Sequence, residues 1–475
     1  MATVRPDPEK KILAIGNGAG FWGDNLDAPF LLARDGNIDV LTLEYLAELT
    51  MAILSHLRSK DARAGFVTDF PDLVERLVPI LIEKEALKIV TNAGGLNPPA
   101  CATLCGRLLE SAGLGEHAIG VVTGDDVLGL IPDWIAQGID LSHLETGAPI
   151  SSVASRLVAA NVYLGAKPIT DALESGSRFV VTGRVADASL TVGPAAAHFG
   201  WQWDEWNKLA GASVAGHVIE CGAQATGALW HGWNDLPDLA GIGYPIAELA
   251  ANGSCTITKP KGTGGLVSVG TVTEQILYEI DDPARYRTPD VDVDFTTVSI
   301  TEQGGDRVTI RGATGNPRSD RLKLVGVYRD GWTASGMLAV VGRDAEAKAR
   351  RAGAIVLERV RRSGVQLADS LVECLGAGDV VPGVIRAAAP PFEVVLRVTV
   401  RDPVRAAVER FCRELAPLIT SGPPGLAGYA SGRPLPRPAF GYWPALVPRT
   451  LAENRTRVDV RRSAEWASAR NDAIE

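Results

Sequence analysis

Lys88-Ile89-Val90-Thr91-Asn92-Ala93-Gly94-Gly95-Leu96-Asn97-Pro98-Pro99-Ala100 reads as a short buried strand, a glycine turn carrying two asparagines, and the start of a helix. Pro98 and Pro99 suit the first helical turn, where a missing N–H costs nothing, and Cys101 to Glu110 continue it. Gly94 and Gly95 let the backbone come close to a ligand. The free N–H groups of the helix start, together with its dipole, favour a carboxylate or phosphate there. The competing reading is a compact strand-to-helix turn with no ligand.

The same strand-then-turn pattern recurs on both sides. Ile12 to Ile15 ends in Gly16-Asn17-Gly18-Ala19-Gly20-Phe21-Trp22-Gly23-Asp24-Asn25, and Ile38 to Leu43 leads into Glu44 and a helix from Tyr45. Phe66 to Phe70 precedes a helix to Glu83; Ile119 to Thr123 ends in Gly124-Asp125-Asp126, and Phe179 to Thr182 runs into Gly183-Arg184-Val185-Ala186-Asp187-Ala188-Ser189. Apolar strands alternating with helices predict an α/β domain with a doubly wound, mostly parallel sheet of Rossmann-like type. Ligands of such sheets bind beyond the carboxyl ends of the strands. Those ends carry Asn17, Asp24, Asn25, Asn92, Asn97, Asp125, Asp126, Arg184, Asp187 and Ser189. Each alone reads as a cap or turn residue, but their concurrence points to a ligand cleft.

Three familiar motifs find little support. Read from Gly16, the stretch to Gly23 has two glycines of the dinucleotide fingerprint but Phe21 where the third belongs; Gly18, Gly20 and Gly23 meet the spacing, but Phe21, Trp22 and Asp24 occupy the ground where a phosphate-binding helix should begin, and Glu44 by itself is weak support for a ribose contact. There is no GxxxxGK[ST] phosphate loop and no GxSxG nucleophile elbow.

Length and composition set the frame. The 475 residues predict two domains: 1–285, an α/β domain with the strand-end cleft, and 286–475, a smaller α+β domain with a Gly/Pro-rich C-terminal arm. A net charge of −9 gives no electrostatic footprint for nucleic acid or an anionic membrane. Residues 1–10 are polar with two prolines, unlike a signal peptide or anchor, and no run of 18 apolar residues follows, so a cytoplasmic protein is expected. The six cysteines show no disulfide spacing, and Cys101 and Cys105 read as buried small apolar residues.

The middle of the chain adds candidates. His217 and Glu220 are three apart on a helix, suiting a general base whose tautomer a carboxylate sets, or else a buried, satisfied histidine. Lys259, Lys261 and Thr263 lie in a glycine-threonine loop before a helix from Val272 to Tyr278, which suits an anion or a flexible surface loop. Asp24, Asp125 and Asp126 offer oxygen ligands for magnesium, a weaker branch. After Pro289 alternating strands, a helix from Ala345 to Arg362, and a strand-helix pair from Phe392 to Leu415 predict the α+β domain. Ser421 to Pro448 reads as a loop or arm whose Phe440, Tyr442 and Trp443 need burial, which a neighbouring subunit would supply in a homo-oligomer.

Several long stretches carry a resemblance. Asn92 to Pro98, Thr182 to Leu190, Gly216 to Gly222, Gly243 to Glu248, Val267 to Gln275 and the tail Arg437 to Pro444 resemble signature stretches of the acyclic terpene utilisation (AtuA-type) family, across most of the chain. That family is associated with breakdown of branched, terpene-derived acids as coenzyme A thioesters; the resemblance transfers no catalytic set.

Two function classes follow. The first is an enzyme on a branched-chain acyl thioester or related carboxylic acid, working by hydration, dehydration or carbon–carbon cleavage. In it His217 or Asp187 moves the proton, Glu220 supports His217, Asn92, Gly94, Gly95 and Arg184 hold the acyl or carboxylate end, and Lys259 and Lys261 meet phosphates of a coenzyme A carrier. The second is a non-catalytic scaffold or accessory partner of an acyl-CoA carboxylase or hydratase, docking through Tyr442 and Trp443. Neither class needs a further cofactor.

Overall fold

The structure is a computed structural model that describes residues 11–384 and 389–469. The polar segment 1–10, read above as neither signal nor anchor, lies outside the described residues. Contacts divide the chain into one unit of Met1–Val327 with Tyr442–Glu475, and a second of Tyr328–Gly441, whereas the sequence reading set its boundary after residue 285.

The first unit is built on strands β1 (Ile12–Asn17), β2 (Val40–Leu43), β3 (Lys88–Thr91), β4 (Ala118–Thr123), β5 (Leu157–Val162), β6 (Phe179–Thr182), β7 (Ile246–Ala250) and β8 (Cys255–Thr258). Its helices are α1 (Ala28–Asp35), α2 (Glu48–Arg58), α3 (Asp69–Glu83), α4 (Pro98–Ser111), α5 (Ile131–Ala136), α6 (Lys167–Glu174), α7 (Ser189–Phe199), α8 (Trp206–Ile219) and α9 (Val269–Leu277). Ten strands form one sheet in the order Ser299–Glu302, Val308–Arg311, β8, β7, β1, β2, β3, β6, β4, Arg457–Arg462.

The sheet is mixed, which corrects the expectation of a mostly parallel one. The pairs β1–β2, β2–β3, β3–β6 and β6–β4 are parallel. The flanking pairs are antiparallel. The reason lies in the connections: β7 and β8 are joined by a short turn, which permits only an antiparallel pair, whereas the parallel strands have helical crossovers between them. Within the parallel part the apolar runs are buried from end to end, as in β2 and β6. Phe66 to Phe70 is not a strand: α3 begins at Asp69, and Val67 N bonds to Ala93 O instead of joining a ladder.

Helix α3 buries Phe70, Leu73, Val74, Leu77, Ile80 and Leu81, the three-and-four spacing of one apolar face. Helix α8 differs, because every residue from Leu209 to Ile219 is buried. Its run of Ala, Gly and Ser lets neighbours close in on all sides of that stretch, so the polar side chains that escape burial stand at the ends, Asn207 and Lys208 in the first turn and Glu220 just past the last.

The second unit runs strand, helix, strand, strand, helix, strand. From Tyr328 the strand Arg321–Val341 leads to helix Ala345–Arg362, strands Asp369–Leu375 and Glu393–Asp402, helix Arg405–Glu414 and strand Leu426–Tyr429. The first of these strands lies between Glu393–Asp402 and Leu426–Tyr429, with Asp369–Leu375 outermost, which is a split β-α-β arrangement. Leu338, Val356, Leu396 and Phe411 fill its core. The segment read as a loop from Ser421 to Pro448 instead contains the strands Leu426–Tyr429 and Arg437–Pro448.

Candidate functional site

Two neighbouring parallel strands place the centre of the site. Beyond β3, Asn92 Oδ1 accepts from Tyr45 N at 2.9 Å, and its amide nitrogen lies 2.6 Å from each oxygen of Glu44. Glu44, just past β2, also accepts from Leu46 N at 2.8 Å and lies 3.5 Å from Arg184 Nη1. Burial, and then the charge of Asp187, hold the Glu44 carboxyl well above the usual range. Asn92 is therefore engaged in clamping Glu44.

Beyond β6, Arg184 is 4% exposed. Its Nη1 lies 2.7 Å from Asp187 Oδ1, and its guanidinium carbon lies 4.0 Å from the centre of the Tyr163 ring. Its Nε has no hydrogen-bond partner among the described residues. Burial works against this charge, but Asp187, Tyr163 and Glu44 outweigh it and raise the guanidinium above its ordinary value. Taking a cation out of water costs several kcal/mol, so this placement depends on the carboxylates beside it.

Asp125, past β4, fixes the backbone of the same loop. Its Oδ2 accepts from Arg184 N and from Asn161 Nδ2, both at 2.8 Å. A Cβ at position 183 would collide with this carboxylate, so only glycine allows the approach. Burial pushes the Asp125 carboxyl up to about 6. Tyr163 donates its hydroxyl to Glu48 Oε1 at 2.8 Å, and Lys323 Nζ lies 3.3 Å from the same oxygen and 4.6 Å from the ring centre.

Glu220 follows helix α8 at its C-terminal end, 11% exposed. Its Oε1 lies 3.3 Å from His217 Nδ1. His217 is 1% exposed, between the rings of Tyr286 at 5.7 Å and Phe295 at 5.5 Å. Burial pushes Glu220 up to about 7, against the pull of His217. Burial by itself would lower His217, but the Glu220 carboxylate more than offsets it and the imidazole is raised. Asn17 Nδ2 donates to Ile219 O at 2.8 Å and Glu220 O at 2.9 Å, holding the helix end in place.

Some of these groups border one cavity of ≈ 520 Å³. Arg184, Asp187 and Glu220 line it together with Glu48, Tyr163, Glu279, Tyr286 and Lys323. The residues proposed from sequence therefore separate. Asp187, Glu220 and Arg184 face the cavity. His217 stands behind Glu220, Asn92 behind Glu44, and Asp125 behind the Arg184 backbone. Ser189 donates to buried Asp290 at 2.6 Å.

The remaining candidates lie elsewhere. Gly94 and Gly95 are buried, and Cβ atoms there would meet Thr182 O and the Leu54 side chain, so the turn packs on its own chain. Asn97 caps α4, accepting from Ala100 N at 3.4 Å. Asp24 accepts from Gly20 N at 2.8 Å and Tyr244 Oη at 2.6 Å, and with Asn25 it borders a separate cavity of ≈ 200 Å³. Lys259 donates to Thr263 O at 2.8 Å and pairs with Asp306 at 3.1 Å; Thr263 donates to Pro260 O at 2.7 Å; Lys261 is exposed. The suggested magnesium ligands each have other partners, Asp126 pairing with Arg58 at 3.1 Å, and among the described residues no group of three or more His, Cys, Asp or Glu side chains is placed to hold a metal ion.

Sequence reading missed Glu48, Tyr163, Glu279, Tyr286 and Lys323, and took Glu44 only as a weak ribose candidate. Four of them come from segments that no strand-end rule selects. Glu279 has a backbone trace, a left-handed φ of 58°, which only coordinates reveal. Trp443, expected to need a partner subunit, is 4% exposed and donates to Leu141 O at 2.9 Å within its own unit.

Residues 13–458 match the family described as acyclic terpene utilisation family protein AtuA. The chain belongs to this family. Among curated proteins and solved structures none matches the AtuA-family chain. Among its described residues no helix is long and apolar enough to cross a membrane.

Proposed function

We propose that this AtuA-family chain is an enzyme that moves a proton beside the carbonyl of a branched-chain acyl thioester, carried on coenzyme A, or of a related carboxylic acid. The observation that carries the reading is one cavity wall holding Arg184, Asp187 and Glu220, with Glu220 pushed up to about 7. A carboxyl poised there is matched to proton transfer near neutral pH. Two carboxyl groups in different surroundings suit opposite roles.

In the dehydration direction Asp187 takes the proton from the carbon beside the carbonyl, and that electron pair forms the new double bond. Glu220 gives its proton to the departing hydroxyl, which leaves as water. Hydration is the reverse. In carbon–carbon cleavage Asp187 instead takes the proton of a hydroxyl on the β-carbon, that carbon becomes a carbonyl as the bond to the α-carbon breaks, and Glu220 protonates the α-carbon, which leaves with the electron pair. Arg184 polarises the acyl oxygen, and buried His217 supports Glu220 without touching substrate; the cycle closes as Asp187 loses its proton to water and Glu220 takes one up through the cavity. The platform on this reading is a Rossmann-like doubly wound unit. In the order β3–β6–β4 the connection from β3 passes β6 to reach β4 and the connection from β4 returns to β6, and ligands of doubly wound sheets gather at such a reversal.

The test is a thermal-shift screen of the protein against branched acyl-CoA thioesters and free branched acids, followed by turnover of the stabilising compound, read from the ultraviolet absorbance of the enoyl thioester. Stabilisation by an acyl compound, with turnover lost in Glu220→Gln and Asp187→Asn while binding persists, supports the reading. No shift with any acyl compound, or turnover unchanged in both variants, overturns it.

A further inference from the structure

Arg184, Arg287, Arg321 and Lys323 line the cavity against Glu48, Asp187, Glu220 and Glu279, so its charges differ in pairing and not in number. Arg184 is held by Asp187 and Glu44, and Lys323 by Glu48. Arg287 and Arg321 also line the cavity, both exposed, and neither forms an ion pair among the described residues. Arg321 only lends its charge to Asp140, which is fully exposed. Arg321 and Lys323 lie two apart on the strand Arg321–Val341, with Leu322 buried between them, so both side chains leave the same face of that strand. Lone surface arginines are ordinary. Two unpaired guanidiniums on one cavity, in a chain of net charge −9 whose other cavity cations are matched by carboxylates, are not.

We infer that the cavity takes a ligand whose distal end is an oxyanion, a carboxylate or a phosphate, gripped at the mouth by Arg287 and Arg321. The guanidinium fork matches either group with two parallel hydrogen bonds. The inference rests on the acyl reading of the cavity and adds a second recognition point to it. It also moves oxyanion recognition away from Lys259 and Lys261, of which the first is already paired and neither lines the cavity.

The experiment is calorimetric titration at low and high salt with three probes: isovaleryl-CoA, which carries phosphates; 3-methylglutarate, which carries a second carboxylate; and S-isovaleryl-N-acetylcysteamine, the same thioester without charge. Each is titrated into wild type and the R287Q/R321Q double variant, whose fold is checked by its melting curve. At least one charged probe should bind more tightly than the uncharged thioester and weaken as salt rises. In the double variant that probe should lose about fivefold in affinity for each charge removed, with the uncharged thioester unaffected. Which charged probe responds identifies phosphate or carboxylate. If the uncharged thioester binds wild type as tightly as the charged probes, or the double variant binds them undiminished, the inference falls and the acyl reading stands. If no probe binds, both fall.

Discussion

Two loops in the first unit have the composition of an anion site, and only one presents its polar groups to a cavity. In the loop from Thr258 to Gly265, Lys259 bonds to Thr263 O and pairs with Asp306, while Thr263 bonds to Pro260 O, so the hydrogen bonds close within the loop and its immediate neighbour. In the loop from Gly183 to Ser189, the backbone is fixed from outside by Asp125, and the Arg184 and Asp187 side chains, paired with each other at 2.7 Å, line the cavity. A glycine-rich polar loop becomes a site when other elements satisfy its backbone. Where the side chains satisfy the loop's own backbone, as those of Lys259 and Thr263 do, they are not available to a ligand.

The largest effect expected from this contrast is catalytic. Glu220→Gln should lower turnover of the stabilising acyl compound by about 10²–10⁴-fold, the usual share of one positioned acid or base, whereas Lys259→Met should leave its rate unchanged. A loss of rate in Lys259→Met, with Glu220→Gln active, would reverse the comparison. Next comes stability. Arg184→Met strands two carboxylates, one of them buried, and should cost about 3–5 kcal/mol in denaturant unfolding; a cost under about 1 kcal/mol would show that the cluster does not hold the loop.

A third expectation concerns pH. Glu220 is raised from its ordinary 4.5 to about 7, so the folded state binds its proton more tightly than the unfolded chain does. Its contribution is fully present below pH 4.5 and is lost as pH rises to about 7. Stability of wild type relative to Glu220→Gln should therefore fall by about 3 kcal/mol across that window, as urea midpoints at a series of pH values would record. A flat difference would mean that Glu220 is solvated. The smallest effect belongs to the other loop. Exposed Lys261→Ala should change stability by no more than about 0.5 kcal/mol and ligand affinity not at all, which a melting curve with and without ligand checks.

Much of the framework was legible because local pattern and final structure agree. β3, its glycine turn and α4 follow from an apolar run, Gly94-Gly95 and Pro98-Pro99, and helix Ala345–Arg362 follows from its apolar spacing. Two strands that the local pattern does not announce have local causes too. Ile246–Ala250 contains two alanines and a glutamate, poor strand formers that become a strand because β1 offers a partner. Arg457–Arg462 alternates charges with valines, the composition of a protected sheet edge, and passes for loop until β4 is seen beside it.

The division is sharper at the site. The amino-acid sequence by itself determined that polar residues gather at the ends of apolar strands, that Arg184 and Asp187 share a loop, and that His217 and Glu220 lie on one helical face, because these relations depend on spacing within a few residues. Only the tertiary structure decided that Glu220 faces the cavity and His217 does not. It also joined Glu44 to Asn92 and Arg184, and brought Tyr163, Arg287, Arg321 and Lys323 to the same space. Those relations join residues up to hundreds of positions apart, and burial, which sets both their charge and their exposure, exists only once the chain is packed.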